Sequence, residues 1–328
     1  MNNTTLKKIS EILGLSISTI SRALKDHPDI SDKTKQRVVE LAETLDYEPN
    51  ANAINLRTSN SKLFGLIVPS ISNWFYNSFI ASVEEESRRN GYSLMILQSG
   101  DDPLIEITNL KLCRQNRITG LFVCISPETT NIEPFLKLKE LDIPVIFFDK
   151  VPESGNCNKV CVADSLSATM AATAIVNKKK KRVLGIFGNT HLLMTKKRLE
   201  AFSDTINEKV NKIKLSVDHA TSSEEAEEVM AKHLKEKPDT VFCMSDEILI
   251  GVMKVIQQKS LKVPDDIAVV TISNGGAPKL YYPEITYVET SGQKLGKLAF
   301  SSMMACLGGS TFIQELTIES LLVEGGSL

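Results

Sequence analysis

Between Leu63 and Asn274 the chain alternates short, almost wholly apolar runs with longer segments of helical spacing. The first four runs are "LFGLIVP", "YSLMILQ", "GLFVCIS" and "IPVIFFDK", and a second four are "KRVLGIFGN", "KIKLSVDHA", "DTVFCMSD" and "DIAVVTISN". A strand covered on both faces reads as a continuous apolar run rather than as alternation. Parallel neighbours also need a crossover of a dozen or more residues, usually a helix. The intervening segments fit that need, with helices predicted near 76–90, 102–116, 132–141, 165–177, 195–209, 222–236 and 246–259. The pattern therefore predicts two doubly wound α/β lobes of buried parallel strands. In such sheets a ligand sits beyond the strand carboxyl ends, in the crevice there. The residues at those ends are polar and varied: Ser72, Asn73, Asp149, Asp164, Asn189, Asp246 and Asn274. Each of them can equally be an ordinary helix cap.

The first sixty residues have a different texture. Thr5 can cap a helix whose apolar residues Leu6, Ile9, Ile12 and Leu13 share one face. Gly14 supplies the left-handed residue that commonly ends a helix. Ser16 caps the next, in which Ile20, Ala23 and Leu24 form a buried stripe. Ser18, Ser21, Arg22 and Lys25 fall within about 100° of arc on the other side, with Ile17 at the edge. After His27-Pro28-Asp29-Ile30, Ser31 can cap a third helix packed through Val38, Leu41 and Leu45. Two short helices joined by Gly-Leu-Ser, with a third in support, have helix-turn-helix spacing.

The outward face suits DNA, because an arginine can donate in bidentate fashion to guanine and hydroxyls can meet bases or phosphates. Residues 1–25 hold four basic side chains against Glu11 alone, whereas residues 26–62 hold five basic and seven acidic ones. The positive charge thus sits at the reading end. A solvated face in a trihelical interaction domain remains the alternative. Next comes "NANAINLRTSNSK", in which Asn50 can cap two turns of helix through Leu56 or Arg57. A helix that short is unstable alone in water. It is either a linker or a segment ordered by a partner, with Leu56 and Ala53 on one face able to wedge into a minor groove.

With both halves in view, the chain resembles the lactose-repressor (LacI/GalR) family of bacterial transcription regulators over nearly its whole length. The resemblance rests on "LKKISEILGLSISTISRALKDHPDISDKTKQRVVELAETLDYEPNANAINLRT", "GLIVPSISNWFYNSF", "GYSLMILQSGDDP", "RITGLFVCIS", "IPVIFFDK" and "VPDDIAVVTISN". It implies an all-α helix-turn-helix head over 1–48 and a hinge over 49–62. It further implies a two-lobed periplasmic-binding-protein-like body over 63–328, with the N-lobe at about 63–160 and 290–320 and the C-lobe at about 163–288. Segments crossing between the lobes are expected near 160–164 and 288–292.

The same resemblance places Ile17, Ser18 and Arg22 at base edges, and Ser16, Thr19, Ser21 and Asn50 at phosphates or groove edges. Leu56, helped by Ala53, stands at the minor-groove wedge, and Thr5 and Leu6 complete the DNA-binding set. For the effector it points to Asp164, Arg198, Ser245 and Asp246, with Asn73, Phe75, Asp149, Ser273 and Asn274 around them. Two departures stand out. Thr271-Ile272-Ser273-Asn274 stands where the family commonly has Gly-Phe-Asp-Asp, so Ser273 replaces the first acid, and Asp164-Ser165 replaces the usual Asp-Asn at the crossover. A carboxylate for vicinal hydroxyls is thereby lost, which puts a familiar monosaccharide in doubt. The expected partners are a pseudo-palindromic operator duplex, a small effector such as a sugar or sugar derivative, and a second copy in a homodimer. The end "LLVEGGSL" has no leucine-heptad tail and so favours a dimer.

Competing classes find little support. No G-x-G-x-x-G follows the early strands, no Walker loop or G-x-S-x-G appears, and the four histidines form no metal motif. A Rossmann-type enzyme body and a plain solute-binding protein are the alternatives weighed, and no catalytic residue, cofactor or metal is expected. Cys157-x3-Cys161 lacks a second pair for zinc. Six scattered cysteines, two of them inside apolar runs, read as reduced thiols. With no signal-like start and no apolar run of spanning length, a cytoplasmic protein without membrane contact is expected. The net charge is −2, so nucleic-acid affinity must be local. Lys178 to Arg182, "KKKKR", reads as a solvated turn.

Overall fold

The computed structural model describes residues 5–47, 61–153, 155–208 and 212–328. The chain divides into two compact units, residues 1–61 and 62–328.

The first unit is three helices: α1 (Leu6–Leu13), α2 (Ile17–Ala23) and α3 (Asp32–Thr44). Each start is capped by a hydroxyl, with Thr5, Ser16 and Ser31 accepting from the backbone N–H groups of Lys8, Thr19 and Thr34. Gly14 takes φ 66° after α1, and its N–H returns to the Ser10 carbonyl. The Ser10 hydroxyl also donates to the Leu15 carbonyl at 2.6 Å, which fixes the turn from the side-chain side. Ile9, Ile20, Ala23, Val38 and Ala42 form the buried centre. Ile12 does not join it and is 53% exposed. At 100° per residue it lies about 90° around the helix from the mean direction of Leu6, Ile9 and Leu13.

The second unit contains two six-stranded sheets. The first lobe is built from β1 (Leu63–Val68), α4 (Trp74–Arg89), β2 (Ser93–Gln98), α5 (Pro103–Gln115), β3 (Gly120–Val123), α6 (Glu133–Leu136), β4 (Val145–Phe148) and β5 (Asn158–Val162). The second lobe continues with α7 (Asp164–Asn177), β6 (Arg182–Phe187), α8 (Leu193–Asn207), β7 (Lys214–His219), α9 (Ser223–His233), β8 (Thr240–Cys243), α10 (Asp246–Gln258), β9 (Ala268–Ser273) and β10 (Thr286–Glu289). The chain then returns for α11 (Gly292–Leu307) and β11 (Glu315–Ile318), and crosses once more to β12 (Leu321–Val323). Strand orders are β11-β5-β4-β3-β1-β2 and β12-β10-β9-β8-β6-β7. All pairings are parallel except β10 with β12.

Three details differ from the sequence reading. The central strands are buried, but β2 and β7 are sheet edges and only half covered, although β2 carries four consecutive apolar residues. The expected helices at 132–141 and 222–236 each end in 3₁₀ turns, over Lys137–Leu141 and Leu234–Glu236. The second is stopped at Lys237 (φ 52°), just before Pro238. A third crossing, at 318–321, was not anticipated. It carries the last residues into the second sheet, where the Ser327 hydroxyl donates to the Val269 carbonyl at 2.6 Å.

The basic run behaves as a turn. Lys178, Lys179 and Lys181 are exposed, and the Asp239 carboxylate accepts from the N–H groups of Lys181 and Arg182.

Candidate functional site

Two surfaces assemble the predicted residues. On the head, the Ser16 hydroxyl lies 2.7 Å from that of Ser18 and 2.8 Å from that of Thr19. These groups are therefore gathered at the helix start, where unpaired N–H groups and the positive end of the helix dipole favour an anion such as a phosphate. Ile17 is 47% exposed, an unusual place for a branched apolar side chain. One turn on, the Arg22 guanidinium makes a 3.7 Å ion pair to Asp29, with both side chains more than half exposed. Thr5 is the α1 cap and Leu6 packs against the head core. The hinge candidates Asn50, Ala53 and Leu56 lie outside the described residues.

In the body, the carboxyl ends of both parallel sheets open onto one cleft of about 540 Å³ between the lobes. From the first lobe it is lined by Asn73, Phe75, Tyr76, Asp101, Glu128, Asp149 and Lys150. From the second it is lined by Asn189, Met194, Arg198, Thr221, Met244, Ser245, Asp246, Glu247, Ser273 and Asn274. Eight of the nine predicted effector residues thus meet around one space. The exception is Asp164, which is absent from the lining.

Asp164 is instead nine-tenths buried and accepts from Arg198 Nε at 2.8 Å. Burial pushes its carboxyl upward and the arginine pulls it back. Arg198 also donates from Nη1 to the Met244 carbonyl at 3.2 Å. The acid therefore aims the arginine, which itself lines the cleft. Loop polarity alone could not separate these roles.

Several lining groups carry structural duty as well. Asn73 caps α4 through its Oδ1, and Ser245 caps α10. Ser273, at the position where the family commonly has an acid, accepts from the Gly275 N–H at 2.9 Å and shapes the turn after β9. Sequence reasoning missed Tyr76, Asp101 and Lys150. The Tyr76 hydroxyl donates to Asp149 Oδ2 at 2.7 Å, and the Lys150 ammonium bridges both Asp101 oxygens at 2.8 Å. Tyr76 reads as an ordinary core aromatic, and the Lys150–Asp101 pairing spans 49 residues, so no local signal marks either.

The lobes are latched on the described side of the cleft. Asn73 Nδ2 donates to Glu247 Oε1 at 2.5 Å, and Asn274 Nδ2 donates to the Trp74 carbonyl at 3.4 Å. The Gly292 N–H donates to Asn274 Oδ1 at 2.9 Å. The Trp74 ring lies on Gly276, where an added Cβ would come within 2.4 Å of the ring. His191 meets Glu128 at 3.0 Å across the rim.

Asp246 is held by the Ser273 hydroxyl and by one long backbone bond. Its Oδ2 accepts from the Asn274 N–H at 3.4 Å, while its buried Oδ1 has no partner among the described residues. Burial raises its pKa from 3.8 to about 6. A folded-state pKa raised in an acid favours the protonated native form. The associated stability is present below about pH 3.8 and is lost as pH rises through 6. Asp246→Asn should therefore stabilise the unliganded protein by about 1–3 kcal/mol at pH 7.5, at 1.36 kcal/mol per unit, and by little at pH 4. Urea denaturation at the two pH values checks this, and equal gains at both would contradict the burial penalty.

Comparison with known proteins agrees with this architecture. Residues 5–50 match the model for "Bacterial regulatory proteins, lacI family", and residues 61–321 match "Periplasmic binding proteins and sugar binding domain of LacI family". The chain is 23% identical over 310 residues to the HTH-type transcriptional repressor PurR of Vibrio atlanticus (strain LGP32), covering 92% of this chain and 91% of the relative. It is 27% identical over 301 residues to PurR of Histophilus somni (strain 2336), covering 90% of each. Among solved structures, the lac repressor dimer bound to operator and the anti-inducer ONPF superposes with a TM-score of 0.88 at 19% identity, over 99% of each chain. A periplasmic binding protein/LacI transcriptional regulator from Alkaliphilus metalliredigens QYMF, complexed with D-xylulofuranose, gives 0.69 at 23% identity over 81% of this chain and 98% of its own.

Proposed function

Since the chain belongs to the LacI family of bacterial regulatory proteins, we propose that it is a transcriptional repressor whose operator affinity is set by a small polar effector. The head reads the operator with Ile17, Ser18 and Arg22, while Ser16, Thr19 and Ser21 meet backbone phosphates. Asn50 joins them at phosphates or adjacent groove edges, and Leu56, helped by Ala53, is the minor-groove wedge. A homodimer places two heads on the half-sites of a pseudo-palindrome. The protein works in the cytoplasm, where its operator lies, and it is not an enzyme. A solute-binding or Rossmann-type reading of the body leaves the head's exposed hydroxyls and arginine without a task.

The observation that carries this reading is the cleft. Polar groups from both lobes converge on one space, so a ligand there makes its full set of contacts only when the lobes are together. A ligand shifts a two-state equilibrium by its difference in affinity for the two states. Closure of the lobes changes the geometry of the dimer, and with it the spacing of the heads and the ordering of the hinges.

Two measurements test this. The full chain is screened by thermal shift against sugars, sugar phosphates and purines, and each hit is then titrated against an operator selected from a random duplex pool. A stabilising hit should move operator affinity, whereas specific operator binding with no steep salt dependence would contradict phosphate neutralisation by the head. The chain's single tryptophan supplies the second readout. Trp74 is 41% exposed and rests on Gly276 of the opposite lobe, so its emission should change with lobe closure. Emission that stays constant while a cleft ligand saturates would contradict the closure step.

A further inference from the structure

The charge in the cleft is one-sided. Its lining carries five carboxylates, those of Asp101, Glu128, Asp149, Asp246 and Glu247, against the two cations Lys150 and Arg198. Both cations are already answered by protein acids. Lys150 holds Asp101 through two 2.8 Å bonds, and Arg198 holds Asp164, a sixth carboxylate just behind the lining. An anionic ligand would have to compete with those acids at close range, where the low dielectric strengthens repulsion.

Two of the acids retain unmet demand. Glu247 accepts from Asn73 on one oxygen only, and Asp246 adjoins it at the start of α10 with a buried oxygen that has no donor among the described residues. A buried acceptor without a donor costs free energy until something supplies one. Elsewhere the lining offers hydrogen-bond donors, chiefly the remaining N–H groups of Arg198, which suit hydroxyl oxygens.

On the regulatory reading above, we propose that the effector is a hydroxylated molecule bearing a protonated amine, and that the amine is directed at the Asp246 carboxylate beside Glu247. The hydroxyls accept from Arg198, and the amine offsets the surplus negative charge. A carboxylate where the chain has Ser273 would have bound hydroxyls. Its loss leaves Asp246 as the acid of that corner, with the Ser273 hydroxyl beside its carboxylate.

The full chain is tested by thermal shift with matched probes: D-glucosamine and D-galactosamine, their N-acetyl forms, D-glucose and D-galactose, D-gluconate, and 1,4-diaminobutane. At least one amino sugar should raise the midpoint, whereas its N-acetyl, neutral and anionic counterparts should not. Stabilisation by 1,4-diaminobutane alone would assign an amine without the hydroxylated body and so overturn the proposal as stated. Asp246→Asn should fold and lower amino-sugar affinity by about tenfold or more, the scale of a lost buried charge pair. A neutral or anionic sugar that binds better than its amine counterpart, or the absence of binding by both amino sugars, would overturn the proposal.

The two readings fail separately. A neutral hit that shifts operator affinity removes the amine and keeps the repressor. An amino sugar that binds without moving operator affinity keeps the amine and removes the coupling.

Discussion

Arg198→Ala should lower the stability of the body by about 3–5 kcal/mol and abolish the response to effector. The stability loss follows from Asp164, which is nine-tenths buried and has Arg198 as its charged partner at 2.8 Å. Removing one member of such a pair leaves an uncompensated buried charge. The stability loss and the loss of response can be separated, because replacing both members with apolar residues of similar size removes the desolvation problem. Arg198→Met combined with Asp164→Leu should recover most of the stability in urea denaturation while the effector response stays absent. If the double variant still responds to ligand, Arg198 does not contact the effector and only holds the fold.

Arg22→Ala should weaken operator binding by about 1–3 kcal/mol in each half-site, the worth of a bidentate base contact. The head itself should remain folded, since the Arg22–Asp29 pair is exposed and 3.7 Å apart, and such pairs contribute little. The loss should fall on particular base pairs, so competition between operator variants is the informative assay. Uniform weakening across all sequences, with a shallower salt dependence, would make Arg22 a phosphate contact instead.

Much of the fold was legible because strands buried on both faces leave a plain mark. The runs at β1, β3, β4, β6, β8 and β9 are predominantly apolar, and nearly all of their residues are buried. The mark failed where burial and composition part company. Edge strands β2 and β7 keep apolar residues on a half-exposed surface, β11 alternates polar with apolar residues, and β12 has only three residues. The third crossing was invisible for that reason. In the site, strand ends could be found from the period of the sequence, and most predicted ligand groups fall there. What each group does depends on partners distant in sequence. Asp164 and Arg198 are 34 residues apart, and Asn73 and Glu247 are 174 apart. The first pairing comes from the packing of α7 on α8 and the second from the contact between lobes, neither of which a single sequence displays.

In the head, the turn chemistry of Gly14 and Ser16 and the hydroxyl cluster of Ser16, Ser18 and Thr19 are two aspects of one arrangement. The turn packs the helices, and the same cap presents the outward groups at a helix start. Ile12 shows the limit of face-counting, since a residue at the margin of a stripe can fall on either side of the burial line.

The central claim is that the cleft and the head share one equilibrium. The most direct test is to measure operator affinity with and without a saturating cleft ligand, and ligand affinity with and without saturating operator, at one salt concentration. Linkage requires the two ratios to be equal, and the repressor account predicts a common factor of about 5–150, the usual span of allosteric coupling. A ligand that fills the cleft while both ratios stay at one would contradict it.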